Sequence, residues 1–204
     1  MGSYSYDVVD WRRRVQEIYR AVRLEPDVRT AHARWAHERR ELLLTHPASP
    51  VPRVPDAPGT TFEGGQVAPY DEAFRFVVPV EPADPLTREV VTGTDGTVVM
   101  ERAGVLALAG LGSVDLWWLT GYGGGLFLPL RDATSGSSTY GGGRYVLDTA
   151  KGADLGGSAP RLVVDLNFAY QPSCAYDPAW ACPLPGPGNT LGAAVPVGEL
   201  YAPA

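Results

Sequence analysis

Glu89-Val90-Val91-Thr92-Gly93-Thr94-Asp95-Gly96-Thr97-Val98-Val99-Met100-Glu101-Arg102 is two short runs rich in β-branched residues joined by Asp-Gly. Asp-Gly supplies the positive φ angles that a type I′ turn needs, so Glu89–Thr94 and Thr97–Arg102 are expected to pair as a hairpin about Asp95-Gly96. Working outward, the same period of two recurs. Val105–Leu111 and Val114–Thr120 flank Gly112-Ser113, and Leu126–Asp132 and Tyr145–Thr149 flank a long polar turn. Phe74–Val78 precedes them, Arg161–Tyr170 follows as the clearest single strand, and Ala193–Leu200 is a weaker last one. Eight or nine short strands with frequent turns predict a mainly β (α+β) fold, an antiparallel barrel or sandwich.

Upstream the period lengthens. Trp11, Val15, Ile18, Tyr19 and Val22 make one apolar stripe, which predicts a helix over 10–23 capped by Asp10. A second helix is expected from Val28 to Thr45, capped by Asp27 and ended before Pro47, with Ala31, Trp35, Leu42 and Leu43 on its apolar face. Six prolines in 47–69 read as an extended connection. The organisation expected is one domain over 1–204: a helical part (1–46), the connection (47–69) and a β-rich body (70–204). The stripe needs apolar surface to cover it, so the helices should pack on the body.

The chain has 204 residues, 45% of them hydrophobic, which suffices for one core and not for two large domains. Gly 24 and Pro 19 agree with many turns. No apolar run approaches the ~18 residues of a membrane span. Met1–Asp7 lacks a basic stretch followed by an apolar one, so a cytoplasmic location is expected. Residues 1–53 carry net +3 and residues 54–204 net −9. A charge of +3 is far below a nucleic-acid footprint, so no nucleic-acid or membrane partner is expected, and the basic helices should face the acidic body. A homo-oligomer stays open.

The residues able to carry chemistry cluster late in the chain. Strand alternation puts Asp165 and Asn167 on one face, opposite Leu162, Val164, Leu166 and Phe168, and puts Arg144 opposite Tyr145 and Leu147. If the polar faces line the inside of an open barrel, Arg131 and Arg144 meet Asp165 and Asn167 in a pocket, with Asp165 the best charge partner of Arg144. Glycine triplets at 123–125 and 141–143 could complete an anion shell with turn N–H groups. Asp132, Thr134 and Tyr140 belong to the same candidate ligand-binding set. The alternative is that Arg–Asp pairs pin hairpin ends and the glycines only permit tight turns. Neither triplet resembles a nucleotide-binding fingerprint.

Cys174 and Cys182 flank a turn at Asp177-Pro178, so they are expected close in space, as a disulfide, as buried free thiols, or as two metal ligands with His46 the obvious third. Lys151, the only lysine, reads as a surface residue. Of Trp117 and Trp118, one should be core and the other should face outward. Glu199 is either a general base or a solvated residue near the C-terminus.

Several stretches also resemble a known family. They are His46-Pro47-Ala48-Ser49-Pro50, Pro69–Phe76, Leu130–Gly136, Tyr140–Tyr145, Asp165–Tyr170, Pro172–Tyr176, Cys182–Pro185 and Gly198-Glu199. Together they resemble the bacterial domain-of-unknown-function family numbered 1684. The resemblance implies a mostly β domain preceded by helices and supplies no reaction and no cofactor. The chain departs from the family pattern at Leu166 (usually Phe), Gln171 (usually Asn) and Gly186 (usually Pro), and Gln171 weakens any role that needs a short amide there. The expectation is a protein that binds, or acts on, a small polar or anionic molecule at Arg131, Arg144, Asp165 and Asn167. Two alternatives stand beside it: a structural or protein-interaction module without a catalytic site, and a thiol or metal site at Cys174 and Cys182.

Overall fold

The computed structural model describes residues 3–52, 62, 65–92, 96–158, 160–180 and 182–201. Two helices, α1 (Ser3–Leu24) and α2 (Val28–Thr45), precede eight strands: β1 (Arg75–Pro79), β2 (Thr87–Thr92), β3 (Gly96–Leu108), β4 (Gly112–Leu119), β5 (Gly125–Leu130), β6 (Arg144–Asp148), β7 (Gly157–Ser158) and β8 (Arg161–Asp165). They form two antiparallel sheets, β2-β3-β4-β5-β6 and β1-β8-β7. Among the described residues no closed barrel forms, and the two sheets fit a sandwich. Single bridges, Glu81 to Val105 and Tyr145 to Tyr170, link β3 and β6 to the segments flanking the smaller sheet.

β2 and β3 pair as expected, with Thr92 opposite Gly96, where φ is 70°. The expected turn residue Asp95 lies outside the described residues. β3 runs on for 13 residues and serves two hairpins, because a bulge between Arg102 and Gly104 lets one strand change partners without breaking. Gly104 sits against Val80 and Glu81, and a Cβ there would come within 2.6 Å of the Glu81 carbonyl oxygen.

Two expected elements differ. Arg161–Tyr170 stays extended only to Asp165, then closes a 3₁₀ turn over Leu166–Phe168, because the Asp165 side chain accepts from Asn167 N–H and caps that turn. Ala193–Leu200 is not a strand. It contains Pro196 and Gly198, and three of its carbonyls accept from a buried side chain described below.

α1 begins well before Asp10. Residues 4–9 of the helix show little of the core stripe, with Tyr4, Tyr6 and Val9 exposed, so apolar periodicity starts only at Trp11. Asp10 is therefore not the cap. It accepts from Arg14 one turn on and from His46 at the end of α2. Asp27 does cap α2, accepting from Thr30 N–H at 2.7 Å.

Both helices dock on the body as expected. Ile18, Tyr19 and Val22 of α1 and Ala31, Trp35 and Leu42 of α2 join one core with Leu106, Leu116, Leu128, Val146, Val164 and Leu166. Trp35 meets Phe168 edge-on, and His32 bonds the Asn167 carbonyl. Gly152, at φ 95°, lets α1 close in, since a Cβ would lie 2.7 Å from Gln16 Cγ. The basic helices do face acidic groups of the body, with Arg23 near Asp154, Arg29 near Glu72 and Arg39 on Glu199. A smaller cluster, Met100, Trp117, Phe127 and Tyr145, covers the other face of the large sheet, so every residue of β6 is buried. Trp117 is core and Trp118 faces outward. Among the described residues no helix is long and apolar enough to cross a membrane.

Candidate functional site

Arg144 is fully buried, and its partner is Asp132, not Asp165. Nη2 donates to Asp132 Oδ2 at 3.0 Å and to Val195 O at 2.8 Å, while Nη1 donates to Val197 O and to Glu199 O. Gly143, at φ 89°, makes the turn into this position, where a Cβ would stand 2.7 Å from Leu130 O. Asp132 also accepts from Thr134 N and Oγ1 and from Val195 N. Both Nη atoms and both carboxylate oxygens thus have protein partners, and only Arg144 Nε is unpaired. Burial pulls the Arg144 pKa down against the opposing pull of Asp132. This geometry ties the 195–199 segment to β6.

Asp165 and Asn167 form a second cluster elsewhere. Asp165 accepts from Tyr70 Oη at 3.0 Å and from Asn167 N and Nδ2, with Arg75 Nε 3.6 Å away. Asn167 pairs with the Asp71 backbone like a strand residue, donating to Asp71 O and accepting from Asp71 N–H at 2.8 Å each. Among the described residues no hydrogen bond or ion pair joins this cluster to Arg144. Arg131 is exposed, and its backbone runs beside Asn189, Thr190 and Leu191. The expected convergence of Arg131, Arg144, Asp165 and Asn167 is therefore not formed. Arg144 stands on β6 of the five-stranded sheet and Asp165 on β8 of the three-stranded one, and the 3₁₀ turn after Asp165 takes Asn167 out of the strand alternation the convergence assumed. Thr134 holds the Asp132 turn together with Thr139. Tyr140 donates to Cys174 O at 3.3 Å and lies edge-on to Tyr201.

A cavity of about 240 Å³ opens instead along the seam between α1, α2 and the large sheet. Trp11, Tyr19, Phe127, Tyr145, Tyr170, Tyr176 and Trp180 supply an aromatic wall, and Asp148, Lys151, Gln171 and Cys182 its polar points. Asp148 is 3% exposed, and its side chain accepts from Lys151 N–H at 3.2 Å. Burial raises its pKa above 3.8, against Lys151 and Arg12. Tyr19 lines this wall, and its buried hydroxyl interacts with Trp35. Arg39 and Glu199 close one side. Arg39 Nε donates to Glu199 Oε1 at 2.5 Å, its guanidinium covers the Tyr170 ring at 4.6 Å, and Gln171 N–H donates to Glu199 Oε2 at 2.6 Å. Glu199 is thus neither solvated nor free. The longer amide of Gln171 reaches Leu200 O at 2.9 Å.

Sequence reading assigned Tyr19 to the core and left Arg39 and Asp148 without a role. The usable signal is a strand carboxyl, Asp148, and an apolar stripe on α1, but nothing local says that α1 packs beside the Thr149–Lys151 turn at the end of β6.

Cys174 and Cys182 are free thiols, both half-buried. Their mutual interaction brings the Cys182 pKa down to about 6 against the effect of burial and raises the Cys174 pKa. His46 is engaged elsewhere, with Asp10 and against Trp11. Among the described residues no group of three or more His, Cys, Asp or Glu side chains is arranged to hold a metal. Lys151 is exposed at the cavity edge.

Residues 60–200 match a family described as a protein of unknown function, DUF1684. The chain belongs to DUF1684. The matched region holds both sheets of this DUF1684 protein and leaves out α1 and α2, which supply Trp11, Val15, Tyr19, Arg39 and Leu43 to the cavity. A solved structure is similar: the uncharacterized protein from gene locus rrnAC0354 of Haloarcula marismortui, determined by NMR in solution. It is 31% identical, with 81% of this chain and 90% of that chain covered, at a TM-score of 0.57. No curated protein matches the DUF1684 chain.

Proposed function

We propose that this DUF1684 protein binds a small, largely apolar molecule in the seam cavity, with a hydrogen-bonding group of that molecule directed at Asp148. The carrying observation is an aromatic cavity of about 240 Å³ that has a buried carboxyl, Asp148, on its wall. Apolar lining with a few convergent polar groups is the usual make-up of a ligand pocket. The cavity, not the set Arg131, Arg144, Asp165 and Asn167, supports this reading. The pairing of both Arg144 Nη atoms within the fold favours the structural alternative for that set.

Trp11 and Trp180 line the cavity, so binding should change intrinsic fluorescence. Titration with a panel of small aromatic amines, alcohols and carboxylic acids is expected to give saturable quenching and a raised Tm. A ligand at a hundred times its Kd stabilises by about 2.7 kcal/mol. Ala153→Leu places three more carbons beyond Cβ in the cavity while leaving the Ala153–Asp148 backbone pair in place. It should fold and lose the response. No response from any compound in the wild type, together with an unliganded mass by native mass spectrometry after gentle purification, would overturn the reading.

A further inference from the structure

We propose that the seam cavity takes a protonated amine, whose ammonium group pairs with Asp148 and lies against the surrounding ring faces. The proposal rests on the cavity being the ligand site and adds the charge of its ligand. Five carboxyl groups are buried among the described residues: Asp115, Asp132, Asp148, Asp165 and Glu199. Four of them have an arginine within 3.6 Å: Arg102 on Asp115, Arg144 on Asp132, Arg75 on Asp165 and Arg39 on Glu199. Asp148 is the exception. Among the described residues it enters no ion pair, and its one side-chain hydrogen bond comes from Lys151 N–H. A buried carboxylate is costly unless a cation and hydrogen bonds compensate it.

The register of β5 and β6 places that carboxyl among rings. Phe127 is the cross-strand partner of Asp148, and Pro129 is that of Tyr145. The shift between these pairs inserts one extra residue on β6, so Tyr145 and Asp148, three positions apart, both fall on the face of Phe127. Tyr170 joins the same face through its backbone bridge to Tyr145. The Tyr145 ring meets Phe127 at 4.8 Å and 77°, and Tyr170 at 5.9 Å and 84°. Rings set nearly at right angles make corners, and Trp11 and Tyr19 of α1 wall the cavity from the other side.

Ring faces on this side of the sheet already take cations. Arg39 covers Tyr170 at 4.6 Å, and Arg88 covers Trp117, the cross-strand partner of Phe127, at 5.4 Å. A cation is drawn to a ring face within about 6 Å of its centre. Burial alone favours the neutral acid at Asp148. An ammonium beside it favours the carboxylate, so the site selects a cation over a neutral molecule of the same shape.

The test titrates the full chain at about pH 7.5, where an alkylamine is protonated. The probes are 2-phenylethylamine, 2-phenylethanol and phenylacetate, which are close in shape and differ in charge, and binding is read by tryptophan fluorescence and Tm. The amine should bind about tenfold or more tightly than the alcohol, the margin of a charge-assisted hydrogen bond over a neutral one. Phenylacetate should bind least. Asp148→Asn should bring the amine to within about twofold of the alcohol and leave the alcohol unchanged. An alcohol that binds as tightly as the amine in the wild type, or an amine advantage that survives Asp148→Asn, would overturn the proposal and leave the cavity as a ligand site. No saturable response from any of the three would overturn the proposal and, with the wider panel also silent, the cavity reading with it. If Asp148→Asn does not fold by circular dichroism, the ratio of amine to alcohol affinity in the wild type decides.

Discussion

Arg144 and Asp148, four residues apart on β6, show how one strand gives charged groups opposite roles. Arg144 ends among four bonded acceptors of its own fold: Asp132 on one side and the carbonyls of Val195, Val197 and Glu199 on the other. Breaking a buried ion pair by removing one member costs about 3–5 kcal/mol. Arg144→Met is therefore expected to lower Tm by about 6–20 °C, at about 2–4 °C per kcal/mol for a chain of this size. An unchanged melting curve for the apo variant would instead assign Arg144 to ligand binding. Asp148 is buried with one backbone N–H for company, and burial raises its pKa above 3.8. The neutral acid is the form the fold prefers. Its contribution is complete below the unfolded value and is lost as pH rises through the folded one. Asp148→Asn keeps an acceptor for Lys151 N–H and cannot ionise, so its Tm should gain on that of the wild type from acid to neutral pH. Asp165, raised in the same direction, is present in both proteins and cancels in the comparison. A Tm difference that does not change with pH would show that Asp148 carries no such penalty.

At the scale of elements, the helices and β8 are instructive in different ways. α1 and α2 have the stripes expected of them, and they bury Ile18, Tyr19, Val22, Trp35 and Leu42 on the sheets. Burying a side chain of this size contributes roughly 1.5–3 kcal/mol, so the helices are integral to the body. A chain lacking residues 1–46 should be insoluble or should melt without a cooperative transition. A soluble truncation with a sharp melt would show that the sheets stand alone. β8 was legible as a strand and not in its extent. Asp165 is both the last strand residue and the cap of the turn that follows. A capping carboxylate competes with the ladder for the backbone N–H two residues on. Here the cap prevails, so Asn167 leaves the alternating face it was expected to share and mimics a strand neighbour of Asp71 instead.

At the scale of the whole molecule, a net-positive helical pair sits on a net-negative body, joined by Arg39–Glu199, Arg29–Glu72 and Arg23–Asp154. The cavity lies along that seam, so a ligand there would touch both the helices and the sheets, and its stabilisation should appear in a single unfolding transition. The sequence by itself determined the two helices, the α2 cap at Asp27 and three hairpins. Each depends on turn chemistry, capping or periodicity within a span of about twenty residues, where the chain is its own template. Only the tertiary structure decided that Asp132 takes Arg144, that Ala193–Leu200 gives its carbonyls to a guanidinium and not to a strand, and that Tyr19, Arg39, Asp148 and Tyr170 share one cavity. Arg144 finds the Glu199 carbonyl 55 positions on, and the cavity brings α1 and α2 to β6. A polar side chain selects among distant partners by burial and packing, and neither is encoded in its neighbours along the chain.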